Sequence, residues 1–548
     1  MCWLKGPLLF DLKTIRGDIF GGVTAAVVAL PLALAFGVAS GLGPIAGLYG
    51  AIAVGFFAAV FGGTSSQISG PTGPMTVVMA VIVAEHANAL SEALMIVFLS
   101  GIIQIMFGAL RIGRFVSYTP YSVVSGFMSG IGVIIIMIQI LPFFGLPAAP
   151  GGTIGAINAI PDVMSAFNRD ALMLGGISLG IMIFWPKPLR AMLPPPLAAL
   201  IIGTVLGVFW FGAAPVIGMV PMGLPDIQLD FIPIDKFMTL IQPALILALL
   251  GSIDSLLTSL VADSITRTRH NSNKELIGQG IGNMVSGLIG GLPGAGATMR
   301  TVVNVRAGGT TKLSGAIHAL ILLALVMGLA PLAEKIPHAV LAGILLKVGW
   351  DIIDWAHLKR GHRAPRDKIL VMFVTFGLTV FVDLITAVAT GLILAGFVTA
   401  RWMETEELKG VTAIALSEKD IGLDDVERAE FEKLEGQVGL VTLRGQFSYA
   451  SARELAQRVG IAGAGHKVII YDFTHAAHVD TSAALAIESL LVTAAHEHVG
   501  CLVAGLSGSA EKTLESLGVL ENLPPEHIVP TRLKAIEVAA TLLSEHSA

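Results

Sequence analysis

Long apolar stretches recur along the first 400 residues of the chain, separated by short polar segments. Twelve of these stretches approach the roughly 20 apolar residues that a helix needs to cross a lipid bilayer. The pattern predicts membrane-spanning helices at residues 18–40, 43–62, 90–110, 120–142, 171–186, 196–213, 237–262, 275–291, 313–332, 337–350, 368–383 and 385–401.

Two further apolar segments, at residues 74–84 and 298–308, are too short to cross a bilayer as helices. Each follows an extended Gly/Pro-rich stretch that can supply the missing length. Counting them gives fourteen segments, and each short segment is the third in a series of seven, which predicts two inverted repeats. A matched pair of interrupted segments indicates a transporter binding site. The alternative is that Gly and Pro here only permit close helix packing.

The two short segments would bring two half-helix N-termini together near the middle of the membrane. Unpaired N–H groups and the helix dipole make such an end attractive to an anion. Ser, Thr and Gln side chains in the preceding stretches could replace water around that anion. The sequence therefore predicts an anion site between the two half-helices.

Among charged residues of the first 400, we place only Asp254, Arg300 and Lys347 clearly inside the segments. Lys347 lies near a helix end, from which its long side chain can reach water. Asp254 is costly inside a membrane and is therefore a candidate functional residue. The hydroxyl of Thr258, four residues on, shares its helix face. Oxygen ligands of this kind suit Na⁺, which makes Na⁺ a candidate coupling ion. The alternatives are that Asp254 carries a proton or that it forms a structural ion pair with Arg300.

Charge and composition support a membrane protein with a soluble tail. Only 13% of the residues are charged, about half of the usual share in soluble domains. Residues 1–400 carry a net charge of +5 and residues 401–548 carry a net charge of −10. The sequence contains no stripe of basic residues, so we do not predict nucleic-acid binding. Lys and Arg concentrate in alternate loops, which predicts cytoplasmic N- and C-termini and the cell membrane as location. We find no nucleophile–base pair and no set of metal ligands in the sequence, so we do not predict an enzyme.

The tail has the pattern of a small α/β domain. We divide the chain into a transmembrane domain (1–402), a charged linker with room for one helix (403–435) and the tail domain (436–548). Strands are predicted at 438–443, 468–473 and 500–504, and helices at 451–459, 482–496 and 509–517. Strands that alternate with helices indicate one α/β layer.

Several motifs resemble the SulP family of anion transporters, which join a fourteen-segment membrane domain to a C-terminal STAS domain. Residues 29–37 (ALPLALAFG) and 43–50 (GPIAGLYG) are similar to the signature of its first two helices. Residues 472–473 and 479–483 (VDTSA) resemble the STAS pattern. Leu32 stands where many sulfate-transporting members carry Gln. The resemblance implies a UraA-like 7+7 inverted repeat with core and gate domains, elevator-like movement of the core, and a homodimer.

Within the family, the sequence is most similar to the cyanobacterial sodium-dependent bicarbonate transporters. That resemblance implies a sodium site, and ligands for the anion, at matching positions. The implied sodium ligands are Asp254, Thr258, Gly296 and Thr298. The predicted anion ligands are Ser65, Ser66, Gln67, Thr72, Thr76, Ala297, Thr298 and Arg300. In phosphorylated STAS relatives the acceptor Ser falls at Thr481, which makes Thr481 and Ser482 candidates for regulation.

We therefore predict a secondary transporter that couples a small inorganic anion, bicarbonate, to Na⁺, with no organic cofactor and with membrane lipid around it. Proton-coupled symport of sulfate or a dicarboxylate is the first alternative, with H⁺ as the coupling ion. An anion channel or sensor whose tail binds a cytoplasmic partner is the second. Packing that the sequence does not display decides the size of the anion.

Overall fold

The computed structural model describes residues 12–85, 90–113, 120–149, 152–186, 188–189, 193–218, 234–363, 365–382, 384–414, 423–434, 436–463 and 465–545. The chain divides into two compact units, Met1–Ile393 and Leu394–Ala548. The first is helical and apolar, and the second contains a five-stranded sheet.

The described part of the first unit consists of helices and two very short strands. The helices are α1 (Leu12–Ala39), α2 (Pro44–Phe61), α3 (Gly73–Glu85), α4 (Leu90–Ala109), α5 (Tyr121–Phe143), α6 (Gly152–Ala166), α7 (Arg169–Phe184), α8 (Pro195–Phe209), α9 (Ile234–Thr266), α10 (Ser272–Leu288), α11 (Thr298–Arg306), α12 (Lys312–Ala333), α13 (His338–Ile352), α14 (Trp355–Arg360), α15 (Arg366–Phe381) and α16 (Leu384–Leu408). Helix α16 continues into the second unit.

Fourteen of these helices fall on the fourteen predicted segments in the same order, which confirms the membrane fold. Among the described residues, six are both long and apolar enough to span a bilayer by themselves. Helices α6 and α14 were not predicted. Both lie in stretches that we had taken as loops, because neither contains an apolar run of membrane-spanning length.

The packing of the helices repeats between the two halves of seven. Helix α1 packs against α12, and their counterparts α9 and α4 pack against each other. Helix α5 packs against α15, as its counterpart α13 packs against α7. Counterparts also meet directly, α2 with α10 and α5 with α13. This reciprocal pattern is that of an inverted repeat.

Helices α5 and α13 cross at one glycine from each half. A Cβ atom on Gly132 would lie 2.5 Å from the carbonyl oxygen of Gly349, and a Cβ on Gly349 would lie 2.8 Å from that of Gly132. The two backbones are therefore in contact, which small residues permit between membrane helices.

The two interrupted segments meet as a pair of short strands. Strand β1 (Ser69–Gly70) pairs antiparallel with β2 (Ala295–Gly296), with Ser69 opposite Gly296 and Gly70 opposite Ala295. Two residues separate β1 from half-helix α3, and one residue separates β2 from half-helix α11. Because the strands are antiparallel, the half-helices leave the pair in opposite directions and their N-termini face each other across it.

The second unit is a three-layer α/β domain. Its sheet has the order β3 (Val411–Ile414), β4 (Val438–Phe447), β5 (Val468–Val479), β6 (Gly500–Ala504) and β7 (Ile528–Val529). Strand β3 is antiparallel to β4 and the other neighbours are parallel. Its helices are α17 (Asp425–Glu432), α18 (Ala452–Gly463), α19 (Thr481–His496), α20 (Gly508–Ser516) and α21 (Arg532–Glu545). Helices α18, α19 and α20 cover one face, and α17 and α21 cover the other.

The predicted linker differs from the structure. Strand β3 and helix α17 both lie within residues 403–435, and β3 pairs with β4 over four residues, Val411 with Leu443 through Ile414 with Leu440. Parts of residues 403–435 therefore belong to the sheet domain, although the charged residues around them had indicated a linker. Strand β7 and helix α21 were not predicted.

Cys501 on β6 should be unreactive in the folded protein. Burial raises the pKa of its thiol to about 11, although a hydrogen bond with Tyr471 acts in the opposite direction. At pH 8 the thiolate is then rare, and we expect alkylation by iodoacetamide to be roughly 100-fold slower than in the denatured chain. The measurement is mass spectrometry of a Cys2→Ser protein, since Cys2 lies outside the described residues.

The same pKa shift gives the sign of a pH effect on stability. From about pH 8.5 to 11 the unfolded thiol loses its proton while the folded one keeps it. The contribution of Cys501 to the free energy of unfolding therefore falls as the pH rises through that window. Alkylation at the same rate before and after denaturation would contradict this assignment.

Candidate functional site

The middle of helix α9 carries the first part of the candidate site. Asp254 and Thr258 are one helical turn apart and both buried. The Thr258 hydroxyl donates to the carbonyl oxygen of Gly296 at 2.9 Å and lies 2.7 Å from Oγ1 of Thr298. Three of the four predicted sodium ligands are therefore in direct contact, across a sequence separation of about 40 residues.

Asp254 lies one turn before Thr258 on the same face of α9. Its Oδ2 atom is buried and has no hydrogen-bond partner among the described residues. A buried oxygen without a partner is costly unless a ligand, a proton or water meets it. The arrangement of one carboxylate, two hydroxyls and one carbonyl fits a hard monovalent cation, and Asp254 alone would also fit a proton.

Helix α9 also holds the backbone of β2. The amide of Gly296 donates to Oγ of Ser255 at 3.0 Å, and that hydroxyl donates to the carbonyl of Gly251 at 2.6 Å. The N–H and the C=O of Gly296 are thus both bound by α9 side chains, Ser255 and Thr258. This double contact sets the direction in which the Gly296 carbonyl points.

Arg300 connects the two half-helices. It lies on the first turn of α11 and is 2% exposed. Its Nη2 donates to the carbonyl of Pro71, just before α3, at 2.5 Å. Its Nη1 has no hydrogen-bond partner within the described part of the chain. Arg300 therefore donates to backbone, and the described residues contain no hydrogen-bonded ion pair between Arg300 and Asp254, although the two charges lie within electrostatic range of each other.

The remaining predicted anion ligands occupy several environments. Thr72 is buried beside Asp254, and the Thr76 hydroxyl donates to the Thr72 carbonyl at 2.7 Å. Ala297 caps α11, and its amide donates to the carbonyl of Ile68 at 2.8 Å. These positions lie at the facing ends of the two half-helices.

Residues 65–67 lie farther from those helix ends. Ser65 is exposed, and Ser66 is buried with its carbonyl accepting from Asn304. The side-chain oxygen of Gln67 accepts from Ser259 at 2.9 Å and its nitrogen donates to Glu275 at 2.9 Å. The structure thus brings Gln67, but not the Ser65 side chain, into the buried cluster.

A small cavity of about 20 Å³ adjoins Asp254. A volume of this size matches one water molecule, but the surface of the cavity is apolar and offers such a guest no polar partner. Asp254 lines the cavity only through carbon atoms, and the other lining residues are apolar. They are Leu250, Ile253 and Leu257 of α9, Val123, Val124, Phe127 and Met128 of α5, and Val388 of α16.

In the first unit the sequence reasoning missed two buried carboxylates, those of Asp18 and Glu275, each 1% exposed. Asp18 accepts from the amides of Thr310 and Thr311 before α12. Glu275 accepts hydrogen bonds from four N–H groups near β1 and on α10. We had counted neither residue among the charges inside the segments, because each stands at the end of its predicted span.

A signal for Glu275 was nonetheless present in the sequence. The buried polar residues of α10 recur at helical spacing on one face, as Glu275, Gln279, Asn283 and Ser286. A polar stripe in a helix of a membrane protein indicates a face directed toward a functional interior rather than toward lipid.

The candidate regulatory residues lie in the second unit, at the start of α19. Asp480 caps this helix by accepting from the amide of Ala483 at 2.8 Å, and it also accepts from the amide of Tyr449 at 2.7 Å. Thr481 and Ser482 are both exposed on the first turn. Both hydroxyls are therefore accessible to a modifying enzyme.

The chain matches two protein families. Residues 15–375 match the sulfate permease family, and residues 430–535 match the STAS domain. The bicarbonate transporter BicA of Picosynechococcus sp. is 42% identical over 550 residues, which cover 98% of this chain and 96% of that protein. BicA of Synechocystis sp. is 43% identical over 541 residues, with 97% and 96% covered. The putative sulfate transporter YvdB of Bacillus subtilis is 35% identical over 393 residues, with 70% and 74% covered.

Solved structures agree with the fold. The transmembrane domain of a cyanobacterial bicarbonate transporter, BicA, is similar with a TM-score of 0.66 and 50% identity, over 69% of this chain and 98% of that one. The structure of SLC26A9 is similar with a TM-score of 0.79 and 18% identity, over 98% and 92% of the two chains. The second likeness concerns the fold alone.

Proposed function

The chain belongs to the sulfate permease family of membrane anion transporters, and we propose that it is a secondary active transporter that imports bicarbonate together with Na⁺. The observation that carries the proposal is the contact of Thr258 with Gly296 and Thr298 beside the unpartnered oxygen of Asp254. The names of the relatives support bicarbonate as the anion.

In this proposal the two ions occupy adjoining positions. Na⁺ lies on Asp254, Thr258, and the oxygens of Gly296 and Thr298. Bicarbonate lies between the N-termini of α3 and α11, where Arg300 adds positive charge. N–H groups at helix ends and a guanidinium are the donors that a small planar oxyanion accepts.

The charges of the site give a reason for coupling. With both ions bound, Na⁺ offsets Asp254 and bicarbonate offsets Arg300, so the sum of the four charges is zero. The sum is also zero when both ions are absent. A site with one ion alone carries an uncompensated charge, which is costly inside the membrane. Movement of half-loaded protein is thereby disfavoured, and each ion improves the binding of the other.

The wider features of the proposal follow the family. The core that carries the site moves past the gate helices in an elevator-like step, and two copies of the chain form a dimer in the cell membrane. Both termini are cytoplasmic, as the distribution of Lys and Arg indicates. The STAS domain is the place at which a cytoplasmic regulator would bind.

Uptake of radiolabelled bicarbonate into proteoliposomes tests the proposal. We expect saturable uptake that an inward sodium gradient stimulates several-fold. Sulfate and fumarate should compete poorly with bicarbonate. Uptake of sulfate or fumarate driven by a pH gradient without sodium would instead assign Asp254 to a proton. Uptake that does not saturate with substrate would indicate a channel.

A further inference from the structure

A buried carboxylate that the proposed transport step does not use lies at the start of α10. Glu275 Oε2 accepts from the amides of Gly63 and Thr64, each at 2.8 Å. Its Oε1 accepts from the side-chain nitrogens of Gln67 at 2.9 Å and Gln279 at 2.8 Å. Four N–H donors thus surround one carboxylate and tie the stretch before β1 to α10.

Gln67 carries this anchoring to the candidate sodium site. Its carboxamide is held at both ends, by Glu275 and by the Ser259 hydroxyl of α9. It also packs directly on β2, because a Cβ atom at Gly296 would lie 2.3 Å from the Gln67 nitrogen and 2.8 Å from its Cδ. The position of Gly296 therefore depends on the position of the Gln67 amide.

Gly296 is fixed between this amide and helix α9. On the α9 side, Ser255 accepts its N–H and Thr258 donates to its C=O. On the other side stands Gln67, whose orientation is set by Glu275. A shift of the Gln67 amide would move the Gly296 carbonyl relative to Thr258 and Asp254.

We propose that Glu275 is a positioning residue for sodium binding: through Gln67 it holds the Gly296 carbonyl where Na⁺ requires an oxygen ligand. This inference rests on the proposed sodium coupling. Groups that orient the direct ligands of a metal ion typically contribute 10- to 100-fold to its affinity. Glu275 touches neither ion, so its effect should appear in sodium affinity and not in the handling of the anion.

Glu275→Gln is the decisive variant, because it keeps the shape of the side chain and replaces one of its two acceptor oxygens by an NH2 group. Two of the four N–H groups then lose their acceptor and face another donor. In proteoliposomes we expect the apparent KM for sodium to rise about 10- to 100-fold. We expect the maximal rate at saturating sodium, and the KM for bicarbonate under that condition, to change by less than about 3-fold. A merely structural defect would lower the amount of active protein and leave the sodium KM unchanged.

Ser259→Ala supplies a milder variant that removes one of the two supports of Gln67, together with the contacts of the same hydroxyl with Thr64 and with the Ser255 carbonyl. We expect a smaller increase in the sodium KM, with normal expression. Its matched control is Ser264→Ala on the same helix, because Ser264 is exposed and donates only to Val261 in α9. Asp18→Asn is the control for loss of a buried carboxylate, since Asp18 binds the residues before α12 and not Gln67.

The outcomes separate the two proposals. Wild-type uptake that is independent of sodium overturns the sodium coupling and this inference with it. Sodium-dependent wild-type uptake with an unchanged sodium KM in Glu275→Gln overturns the positioning role alone. Should Glu275→Gln fail to fold, Glu275→Asp keeps the charge but shortens the side chain away from Gln67, and an unchanged sodium KM in that variant overturns the role in the same way.

Discussion

Replacement of Asp254 by Asn is expected to abolish the stimulation of bicarbonate uptake by sodium, so that the ratio of uptake with and without an inward sodium gradient falls to about 1. Asn retains the shape of the side chain and removes its charge. Because Oδ2 of Asp254 has no hydrogen-bond partner among the described residues, the substitution breaks no hydrogen bond of that atom. A loss of sodium stimulation therefore reports on the charge that Asp254 offers to the cation.

The measurement is uptake into proteoliposomes at several sodium concentrations, with protein amounts matched. Asp263→Asn is the matched control on the same helix. Asp263 lies near the end of α9 and accepts from the main chain and ring of His270, and an Asn oxygen can still accept there. We expect the control to keep its sodium dependence. An Asp254→Asn protein that responds to sodium like the wild type would show that the coupling ion is bound elsewhere.

The helices of the membrane unit could be predicted from the sequence because lipid imposes a simple rule. A spanning helix needs a long apolar run, so length and apolarity alone place it. The two interrupted segments were found for a related reason: Gly and Pro stretches stand out against such runs. Their pairing as β1 and β2 follows from the inverted repeat and was not itself predicted.

The contacts of the site could not be predicted in the same way, because they join residues far apart in the chain. Glu275 and Gly63 are 212 positions apart, and Gln67 and Ser259 are 192 apart. Composition suggested that Gln67 would face the anion. In the structure, neighbours on α9 and α10 bind its carboxamide, and only tertiary packing decides between these possibilities.

In the second unit the central strands could be predicted from the sequence, and an edge strand could not. Its central strands β4, β5 and β6 and the helices between them were predicted, since alternation of buried strands with amphipathic helices is a local signal. Strand β3 is four residues long and sits beside charged segments. It pairs with β4 as the outermost strand of the sheet, and short edge strands carry little hydrophobic pattern to detect.

Replacement of Arg300 by Gln is expected to weaken the binding of bicarbonate rather than the binding of Na⁺. A hydrogen bond to a charged group contributes about 1.5–3 kcal/mol, so loss of the guanidinium should raise the apparent KM for bicarbonate roughly 10- to 150-fold. Gln removes the charge and also shortens the side chain, so the hydrogen bond from Nη2 to the Pro71 carbonyl is lost with it. Arg300→Lys, which keeps the positive charge, separates the two effects.

The readout that distinguishes this effect is the pair of KM values from one set of uptake measurements. At saturating bicarbonate the sodium KM of Arg300→Gln should stay within about 3-fold of the wild type, because every proposed sodium ligand is intact. Arg306→Gln is the matched control, since Arg306 lies on the same half-helix α11 but is exposed at its last turn. An unchanged bicarbonate KM in Arg300→Gln would place the anion away from the first turn of α11. A rise in the sodium KM alone would instead assign Arg300 to the cation site, as a group whose charge sets the field at Asp254 and not the binding of bicarbonate.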